Sequence, residues 1–454
     1  MSKSYRPWDP DQAWLLPPSP RDWLPEGDVV YFVMDVMREL DLSAITSHYE
    51  REERGYPPYH PRMMATLLVY AYTQGVYSSR RIQKRCERDA AFRAIVGADV
   101  PDFRTISEFR RLHLKALSGL FVHVLKLCRA AGLVKLGHVA LDGTKIKANA
   151  SRHKAMSYGR MGEEEARLRG EIAEMLRQAE AADEEEDRQY GRNRRGDELP
   201  QELARRESRL KRIGEARKAL EARAKAEAEA EQKRREEEAR GKGQEPPKSP
   251  APEAVQPDPK AQYNFTDPES RIMKASNKGW DQCGNAQAVV DAKAQVIVAC
   301  DVTAEANDKR QLAPMLAQAQ ANVGPEGTIR KALGDTGYYS EENVKWAERE
   351  KIDAYLATGK VKHHERVQAA PRGRPPGDLT VKEKMARKLR TKKGRETYAR
   401  RKGIVEPVFG QIKRARGFTQ FLLRGLEKMR GEWSLVCLAH NLWKLFGARR
   451  AVAA

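Results

Sequence analysis

Apolar residues spaced three and four positions apart are frequent between about residues 28 and 135. Clear examples are Met63, Leu67, Leu68, Tyr72, Phe121, Val124, Leu125 and Cys128. Because positions three and four apart lie on one face of a helix, the spacing predicts amphipathic α-helices. Gly75 and Gly97 predict turns between short helices, and Ser78 with Ser79 predicts a helix start. This part of the chain is therefore predicted to be an all-helical domain.

Short apolar runs replace this pattern from His138 onward. Residues 138–142 predict a buried strand that reaches Asp142 at or near its end. Runs at 285–290 and 295–300 flank a polar turn and predict a hairpin. The next predicted elements are a helix at 310–323, a strand at 328–334 that leads to Asp335, a helix at 341–350 and a strand at 352–357. Strands that alternate with helices predict an α/β sheet with parallel neighbours.

A charged insertion separates the first predicted strand from the others. Residues 161–240 hold 23 acidic and 20 basic residues, so the segment is close to neutral. Its alanine, glutamate and arginine content predicts long exposed helices with opposite charges one turn apart. A helical hairpin broken near residues 190–200 fits this pattern, and the prolines of 241–259 predict a linker. A spacer, a dimer arm and a DNA clamp all stay open as the role of the insertion.

The net charge indicates a polyanionic partner. Lysine and arginine number 84 against 64 acidic residues, which gives a net charge of +20. A cationic surface gains affinity by releasing counterions from phosphates, so DNA is the expected partner. Residues 372–402 hold 13 basic and 3 acidic residues, and their net charge of +10 is half of the total excess. The positive charge is therefore concentrated near the C-terminal candidate residues described below.

The remaining composition narrows the class of protein. The five cysteines are dispersed and no pair has the spacing of zinc ligands, which is typical of buried free thiols in a reducing compartment. The sequence has no apolar run of the length that a membrane span needs, and its N-terminus lacks the pattern of a secretory signal. We expect a cytoplasmic, nucleoid-associated protein without a membrane partner.

Two acidic residues share one local setting. Asp142 and Asp335 each follow an apolar predicted strand, and each is adjacent to a glycine. Acids at the carboxyl ends of strands can converge, and glycine allows a phosphate to approach closely. Magnesium takes few protein carboxylates, and two such ions can serve the attacking and leaving oxygens of phosphodiester cleavage. Taken singly, each aspartate would more often only close a strand or cap a turn.

Glu406 is the third acidic candidate. Helical spacing places Glu406, Gly410 and Lys413 on one face of a helix. Pro407 predicts the first turn of that helix, where a missing N–H costs little. On this interpretation the glutamate reaches the metal ions and Lys413 holds a DNA phosphate. From spacing alone, a surface ion pair is the simpler explanation of Glu406 and Lys413.

The ordered motifs resemble the DDE transposases of bacterial insertion sequences, in the group whose C-terminal signature is Tyr-x2-Arg-x3-Glu-x6-Lys. Tyr398, Arg401, Glu406 and Lys413 match this signature, except that four residues rather than three separate the arginine from the glutamate. Either Arg401 or Lys402 can therefore take the place of the arginine. Further matching segments are Leu141–Lys145 and Gly334–Tyr338 for the two aspartate motifs, Asn285–Asp291 for the second strand, and Tyr59–Arg111 for the N-terminal helices.

The sequence patterns predict an all-α N-terminal domain and a charged helical insertion after strand one, and the resemblance implies an α/β fold with an RNase H-like mixed sheet flanked by helices. It also implies that Asp142, Asp335 and Glu406 are catalytic and hold two Mg²⁺ ions, for which Mn²⁺ could substitute. The expected boundaries are an N-terminal tail at 1–27, a helical DNA-binding domain at 28–135, the first part of the core at 136–160, the insertion and linker at 161–260, and the second part of the core at 261–454.

The resemblance further implies a transposase that cuts transposon ends and joins them to target DNA by two-metal phosphoryl transfer. The expected DNA-binding residues are Tyr398, Arg401, Lys402, Lys413, Arg80, Arg81, Lys84 and Arg85. The terminal inverted repeats and target DNA are the expected partners, bound by a homodimer because two ends must be held together. A nuclease or Holliday-junction resolvase on the same core, and a DNA-binding regulator derived from a transposase, are the alternatives. Tyr338 fits either base stacking or core packing.

Overall fold

The computed structural model of the chain describes residues 24–50, 57–190, 201–242, 251–275, 279–324, 327–359, 369–370 and 376–453, together with Ser19, Asp22 and Gly373. These residues form two compact units. The first unit combines the described parts of 1–148 and 284–454 with Ala275, and the second combines those of 149–274 and 278–283. Part of the basic segment, Arg372 and Arg374, lies outside the described residues.

The predicted N-terminal helices are confirmed in the first unit. They are α1 (Val29–Glu39), α2 (Ser43–Tyr49), α3 (Pro61–Thr73), α4 (Ser79–Arg88), α5 (Ala90–Val96) and α6 (Phe103–Ala130). Gly75 and Gly97 have φ angles of +70° and +67°, in the left-handed region that glycine adopts without strain. Asp102 begins α6, because its carboxylate accepts hydrogen bonds from the backbone N–H groups of Arg104 and Thr105.

The predicted mixed α/β sheet is also confirmed. The described residues form the strands β1 (His138–Lys147), β2 (Ala155–Ser157), β3 (Gln262–Asn264), β4 (Arg271–Lys274), β5 (Trp280–Asp291), β6 (Ile297–Thr303), β7 (Lys331–Gly334) and β8 (Asp353–Leu356). In the first unit the strand order is β6-β5-β1-β7-β8. Strands β5 and β6 form the predicted antiparallel hairpin, whereas β1, β7 and β8 pair in parallel. The central position belongs to β1.

Strand β1 is longer than predicted, and Asp142 lies inside it rather than near its end. The strand continues to Lys147, which is beyond the last residue that pairs with β7. The additional residues find a partner far along the chain. The N–H of Lys147 donates to the carbonyl of Thr419, and its carbonyl accepts from the N–H of Phe421. The prediction placed the end too early because these partners are not visible in a local pattern.

The described residues also form seven α-helices after α6. In chain order after α6 they are α7 (Tyr158–Tyr190), α8 (Gln201–Lys242), α9 (Leu312–Val323), α10 (Glu341–Arg349), α11 (Val381–Arg390), α12 (Lys392–Gly410) and α13 (Leu426–Ala453). The predicted helices at 310–323 and 341–350 correspond to α9 and α10. Helix α13 packs against β6, α3 and α6, so it joins the sheet to the N-terminal helices.

All five cysteines are buried and free, as predicted. None of the helices in the described part of the chain combines the length and apolar character that a membrane span needs.

The second unit contains the charged insertion. Helices α7 and α8 pack against each other, which confirms a pair of helices, while the predicted break at 191–200 lies outside the described residues. A small apolar cluster holds one part of the pair together and consists of Met161, Leu168, Ile213, Ala216 and Leu220. Ion pairs cross between the helices and join Arg206 to Glu171, Arg209 to Glu164, and Arg217 to Glu165.

The second unit also contains short strands that the sequence patterns did not predict. Strand β2 pairs with β3, and β4 pairs with the first residues of β5. Of the predicted linker, residues 243–250 lie outside the described residues.

A buried polar network in the first unit connects α13 to the N-terminal helices. Glu432 is fully buried and accepts hydrogen bonds from the Tyr72 hydroxyl at 3.3 Å and from the N–H of Leu422 at 2.9 Å. It also accepts from the N–H of Leu423 at 3.2 Å. Arg110 donates to the same Tyr72 hydroxyl at 3.4 Å. Burial raises the pKa of Glu432, and the positive charge of Arg110 opposes that rise. The network therefore ties the segment before α13 to α3 and α6.

Candidate active site

The register of the parallel strands, continued by two residues beyond its last pair, sets Asp142 level with Asp335, which directly follows β7. His138 of β1 pairs with Lys331 of β7, and the pairing runs in step to Ala140 and Leu333. The offset between partners is 193 (331 − 138), and 142 + 193 gives 335. Residues at one level of neighbouring parallel strands project to the same face of the sheet. The two aspartates predicted from separate motifs are thus brought side by side.

Asp142 is held in an environment that disfavours its charge. Its side chain is 22% exposed, and it accepts a hydrogen bond from the N–H of Gly143 at 2.9 Å. Burial raises the pKa of Asp142 to about 6, the charges of Asp335 and Asp308 add to the rise, and Arg401 opposes it. Burial is thus the main cause of the raised pKa of Asp142, and the two neighbouring carboxylates add to it.

Arg401 connects two of the predicted acids. Its guanidinium lies 3.4 Å from Oδ2 of Asp142 and 3.7 Å from Oε1 of Glu406. The Arg401 side chain is 13% exposed, whereas that of Glu406 is 53% exposed. Lys402 is exposed on the other side of the helix turn. Of the two residues that the sequence left open for the arginine position, Arg401 is the one that contacts the carboxylates.

The helix that carries Glu406 differs from the prediction. Helix α12 begins about fifteen residues earlier than expected, at Lys392, where the Thr391 side chain accepts from the N–H of Gly394. Pro407 consequently lies inside the helix and not in its first turn. Because proline has no N–H, the carbonyl of Gly403 lacks its helical partner. That carbonyl accepts a hydrogen bond from Nε2 of Gln295 at 2.8 Å instead, which a local pattern could not reveal.

The two remaining signature residues lie at the same place. A π-helical turn at Gln411–Ala415 follows α12, and within it Lys413 donates to Oγ1 of Thr144 at 2.5 Å. Thr144 is two residues beyond Asp142 on β1. Tyr398 accepts a hydrogen bond from Arg401, and burial raises the pKa of its hydroxyl. Arg401 thus contacts Asp142 and Glu406 directly, Tyr398 contacts Arg401, and Lys413 contacts β1 two residues beyond Asp142.

Tyr338 is a core residue rather than an exposed aromatic surface. It is fully buried, and its hydroxyl donates to Oε1 of Gln287 on β5. Burial raises its pKa well above the ordinary value, with further contributions from Asp308, Asp142 and Asp335. Of the two interpretations of Tyr338, core packing is therefore the one that agrees with its surroundings.

Sequence patterns missed one acidic residue of this cluster. Asp308 lies in the loop between β6 and α9, and its side chain is 16% exposed. It accepts hydrogen bonds from Asn285 and Gln287, each at 2.7 Å, and pairs with Lys145 at 3.5 Å. The residue follows its strand by five positions, so it lacks the strand-then-acid pattern that identified Asp142 and Asp335. The alternating polar residues Asn285 and Gln287 on a buried strand were the available signal.

The N-terminal basic residues lie apart from this cluster in their contacts. On α4 the side chains of Arg80, Arg81, Lys84 and Arg85 are exposed, while Ile82 and Cys86 are buried. Helix α4 packs against α5 and α6. Arg85 pairs with Asp89 at 3.0 Å, and Arg80 lies over the ring of Phe103. The predicted residues thus form one exposed basic face of α4.

The oxygen ligands of the cluster suit a hard divalent cation. Mg²⁺ prefers carboxylate oxygens, and the carboxylates of Asp335 and Asp308 lie near enough to Asp142 for their charges to act on it. Within the described ranges, however, no three acidic, histidine or cysteine side chains lie close enough to hold one ion together. Carboxylate oxygens are therefore suitable ligands for such a cation, but these carboxylates would have to move closer together to share one.

Comparison with known proteins identifies two transposase domains in the chain. Residues 18–112 match a family model described as a transposase domain (DUF772), and residues 247–442 match one described as a transposase DDE domain. The second match includes Asp335 and Glu406, whereas Asp142 lies between the two matched segments. No curated protein and no solved structure matches the chain. Both matched models describe transposase domains and together they cover well over half of the chain, which therefore belongs to the DDE transposases of insertion sequences.

Proposed function

We propose that this transposase cuts the ends of its element and joins them to target DNA at a centre formed by Asp142, Asp335 and Glu406. The observation that supports the proposal most directly is the register of β1 and β7, which, continued by two residues beyond its last pair, sets Asp142 opposite Asp335. Arg401 then links Asp142 to Glu406. The proposed centre thus draws its three acids from separate parts of the chain.

The proposed core is RNase H-like. The first aspartate lies on the central strand β1, the second follows β7, and the glutamate lies on the late helix α12. This is the arrangement that the family resemblance leads us to expect for an RNase H-like sheet. The insertion lies along the chain between β1 and β5. The strand order β6-β5-β1-β7-β8 is therefore not interrupted.

Asp142, Asp335 and Glu406 would hold divalent cations, Mg²⁺ or Mn²⁺. Such ions polarise phosphoryl oxygens and neutralise the charge that develops during phosphodiester cleavage. The protein residues contribute position and charge. Arg401 keeps Asp142 and Glu406 in reach of each other, and Lys413 and Lys402 supply positive charge for the DNA backbone, as the net +10 of residues 372–402 favours.

We further propose that α4 contributes to DNA-end recognition. Its exposed arginine and lysine residues share one face, and a helix that lies in the major groove requires such a face. Because two ends must be processed together, a homodimer on DNA is part of the proposal. The roles of these surfaces are testable by binding measurements that are separate from cleavage.

The decisive experiment uses the full chain and a DNA duplex that carries the ends flanking its reading frame. With Mg²⁺ or Mn²⁺ we expect nicks that leave 3′-hydroxyl groups at the element ends, followed by joining of those ends to a target plasmid. Chelation of the metal should stop both steps. Nicking at the ends without joining would indicate a nuclease, and binding of the ends without nicking would indicate a DNA-binding regulator.

Replacement of Arg401 by alanine should impair cleavage, while Lys402→Ala should have little effect on the cleavage step. A hydrogen bond between charged groups contributes about 1.5–3 kcal/mol, so the loss of Arg401 should slow cleavage roughly ten- to hundredfold. Arg401→Lys should not restore the rate, because a single ammonium does not span two carboxylates as a guanidinium does. Single-turnover cleavage rates at saturating DNA measure the difference. Equal rates for the Arg401 and Lys402 variants would contradict the assignment.

A further inference from the structure

Asp308 is an acidic side chain whose contacts reach the backbone next to both proposed catalytic aspartates. A Cβ atom on Gly143 would lie 2.8 Å from Oδ1 of Asp308, and a Cβ on Gly337 would lie 3.1 Å from Oδ2 of Asp308. The same Gly337 position is 3.0 Å from Oδ1 of Asp335, so Oδ2 of Asp308 and Oδ1 of Asp335 are at most 6.1 Å apart (3.1 + 3.0). Glycine at positions 143 and 337 is what permits this close approach.

The hydrogen bonds of Asp308 have a fixed direction. Nε2 of Gln287 donates to Oδ1 of Asp308, which leaves Oε1 of Gln287 to accept from the Tyr338 hydroxyl. Nδ2 of Asn285 donates to the same carboxylate oxygen and to the carbonyl of Glu305 at 3.0 Å. Both amide residues are fully buried on β5. A carboxylate can accept from both amides and from Lys145 at once.

The network extends toward β1 rather than into the apolar core. Oδ1 of Asn285 is buried and has no hydrogen-bond partner among the described residues, which is uncommon for an interior amide. That oxygen lies 3.0 Å from the Cβ position of Gly143, beside the residue that follows Asp142. If Asn285 served only to fill the core, its amide oxygen would be expected to have a hydrogen-bond partner. The polar cluster is therefore arranged around the backbone that carries the acidic centre.

We propose that Asp308 is a positioning residue of the transposase centre. One of its oxygens, held by Asn285 and Gln287, lies against β1 at Gly143, and the other lies against the turn at Gly337. Asp308 thereby fixes the separation of Asp142 and Asp335 through the backbone of their neighbours. The inference rests on the proposed function, because it concerns how the same acids are held in place for cleavage.

The test compares Asp308→Ala with Asp308→Asn in the full chain. Asparagine keeps an oxygen that accepts from Asn285 and Gln287, whereas alanine removes it. Asp301→Asn serves as the matched control, since Asp301 lies on β6 and pairs with Arg430 at 2.8 Å. Three quantities are measured for each variant: Mn²⁺ binding by calorimetry, the kcat and KM of end cleavage, and the Tm.

We expect Asp308→Ala to weaken Mn²⁺ binding and lower kcat by about 10- to 100-fold, as is typical when a supporting partner of a metal ligand is removed. The KM for DNA should stay near that of the wild type, and Asp308→Asn should recover more than half of the loss on a logarithmic scale. Asp301→Asn should match the wild type in Mn²⁺ binding and kcat.

A second comparison guards against a variant that only folds poorly. A Cβ on Gly143 would contact Gln287 and Asp308, so Gly143→Ala should disturb the same arrangement. If Asp308 acts through this contact, the effects of Gly143→Ala and Asp308→Ala on Mn²⁺ binding should be less than additive in the double variant. Additive effects would contradict the proposed route.

Other outcomes also decide the inference. Wild-type Mn²⁺ binding and kcat in Asp308→Ala would overturn it, and so would equal losses in the alanine and asparagine variants, which would assign the effect to charge. A fall in Tm with a parallel rise in KM would indicate a role in folding alone. If the wild-type chain itself neither nicks nor joins the ends, the proposed function fails, whereas an active wild type with an indifferent Asp308 rejects only this inference.

Discussion

Asp142→Asn should abolish strand cleavage and leave DNA binding nearly unchanged. Asparagine has the size of aspartate, but it lacks the negative charge that would hold a divalent cation beside Asp335. A loss of about 4 kcal/mol of transition-state stabilisation corresponds to a rate decrease of roughly a thousandfold, and metal-assisted catalysis contributes several kcal/mol. Cleavage of end-labelled DNA measures the rate, and a mobility-shift titration measures binding.

The stability of this variant separates a functional acid from a structural one. Burial raises the pKa of Asp142 to about 6, so folding disfavours its ionised form at neutral pH. Asp142→Asn removes that unfavourable charge, and Arg401 keeps Glu406 as a partner. We therefore expect a Tm equal to or above that of the wild type, as is common where function requires a strained group.

The matched control is Asp353→Asn. Asp353 lies at the start of β8 in the same sheet and pairs with Lys388 at 2.6 Å, away from the contacts of Asp142. Its variant should cleave DNA at the wild-type rate. Cleavage by Asp142→Asn at the wild-type rate would show that Asp142 is not a catalytic residue. A loss of activity in both variants would show that the loss is not specific to Asp142.

Glu432→Ala should produce the largest loss of stability. The substitution removes the acceptor for the Tyr72 hydroxyl and for the N–H groups of Leu422 and Leu423, and it leaves Arg110 without nearby negative charge. The loss of one partner in a buried charged network costs about 3–5 kcal/mol. Urea unfolding followed by circular dichroism measures the change in the free energy of unfolding.

Glu432→Gln should cost less, because glutamine still accepts from one of these donors and burial already favours a neutral side chain at this position. The pKa of Glu432 is raised in the folded state, so its contribution to stability is complete at pH values below its unfolded pKa and is lost as pH rises through the folded pKa. The advantage of the wild type over Glu432→Gln should therefore decline with rising pH.

Glu427→Ala is the control for both Glu432 variants, since Glu427 is exposed in the first turn of the same helix. A surface substitution of this kind changes the free energy of unfolding by within about 0.5 kcal/mol. An equally small change for Glu432→Ala would show that the network between α13 and the N-terminal helices contributes little. A wild-type advantage over Glu432→Gln that grows with pH would contradict the direction of its pKa shift.

Local patterns predicted most of the elements and the two aspartates. Apolar spacing of three and four gave the N-terminal helices, and short apolar runs gave β1, the β5–β6 hairpin, β7 and β8. These signals are local, because the side that each residue faces repeats with the period of its own helix or strand. The same locality explains the errors. Pro407 suggested a helix start, although the cap at Thr391 begins α12 and Gln295 satisfies the carbonyl that the proline leaves free.

Asp142 illustrates why sequence comparison by itself was incomplete. The two matched segments end at 112 and resume at 247, so the charged insertion leaves β1 outside both. The register of β1 and β7, continued by two residues beyond its last pair, nevertheless sets Asp142 level with Asp335. Hydrogen bonds between strands depend on distance in space, and a long excursion between two strands does not alter their register.

The sequence by itself determined the helical and α/β regions, the positions of the three candidate acids and the concentration of positive charge before Glu406. The tertiary structure decided which groups meet. It selected Arg401 over Lys402 as the partner of two carboxylates, added Asp308 to the cluster, and placed Tyr338 in the core. The physical reason is that charge interactions and hydrogen bonds act over a few ångströms, between residues that are up to several hundred positions apart along the chain.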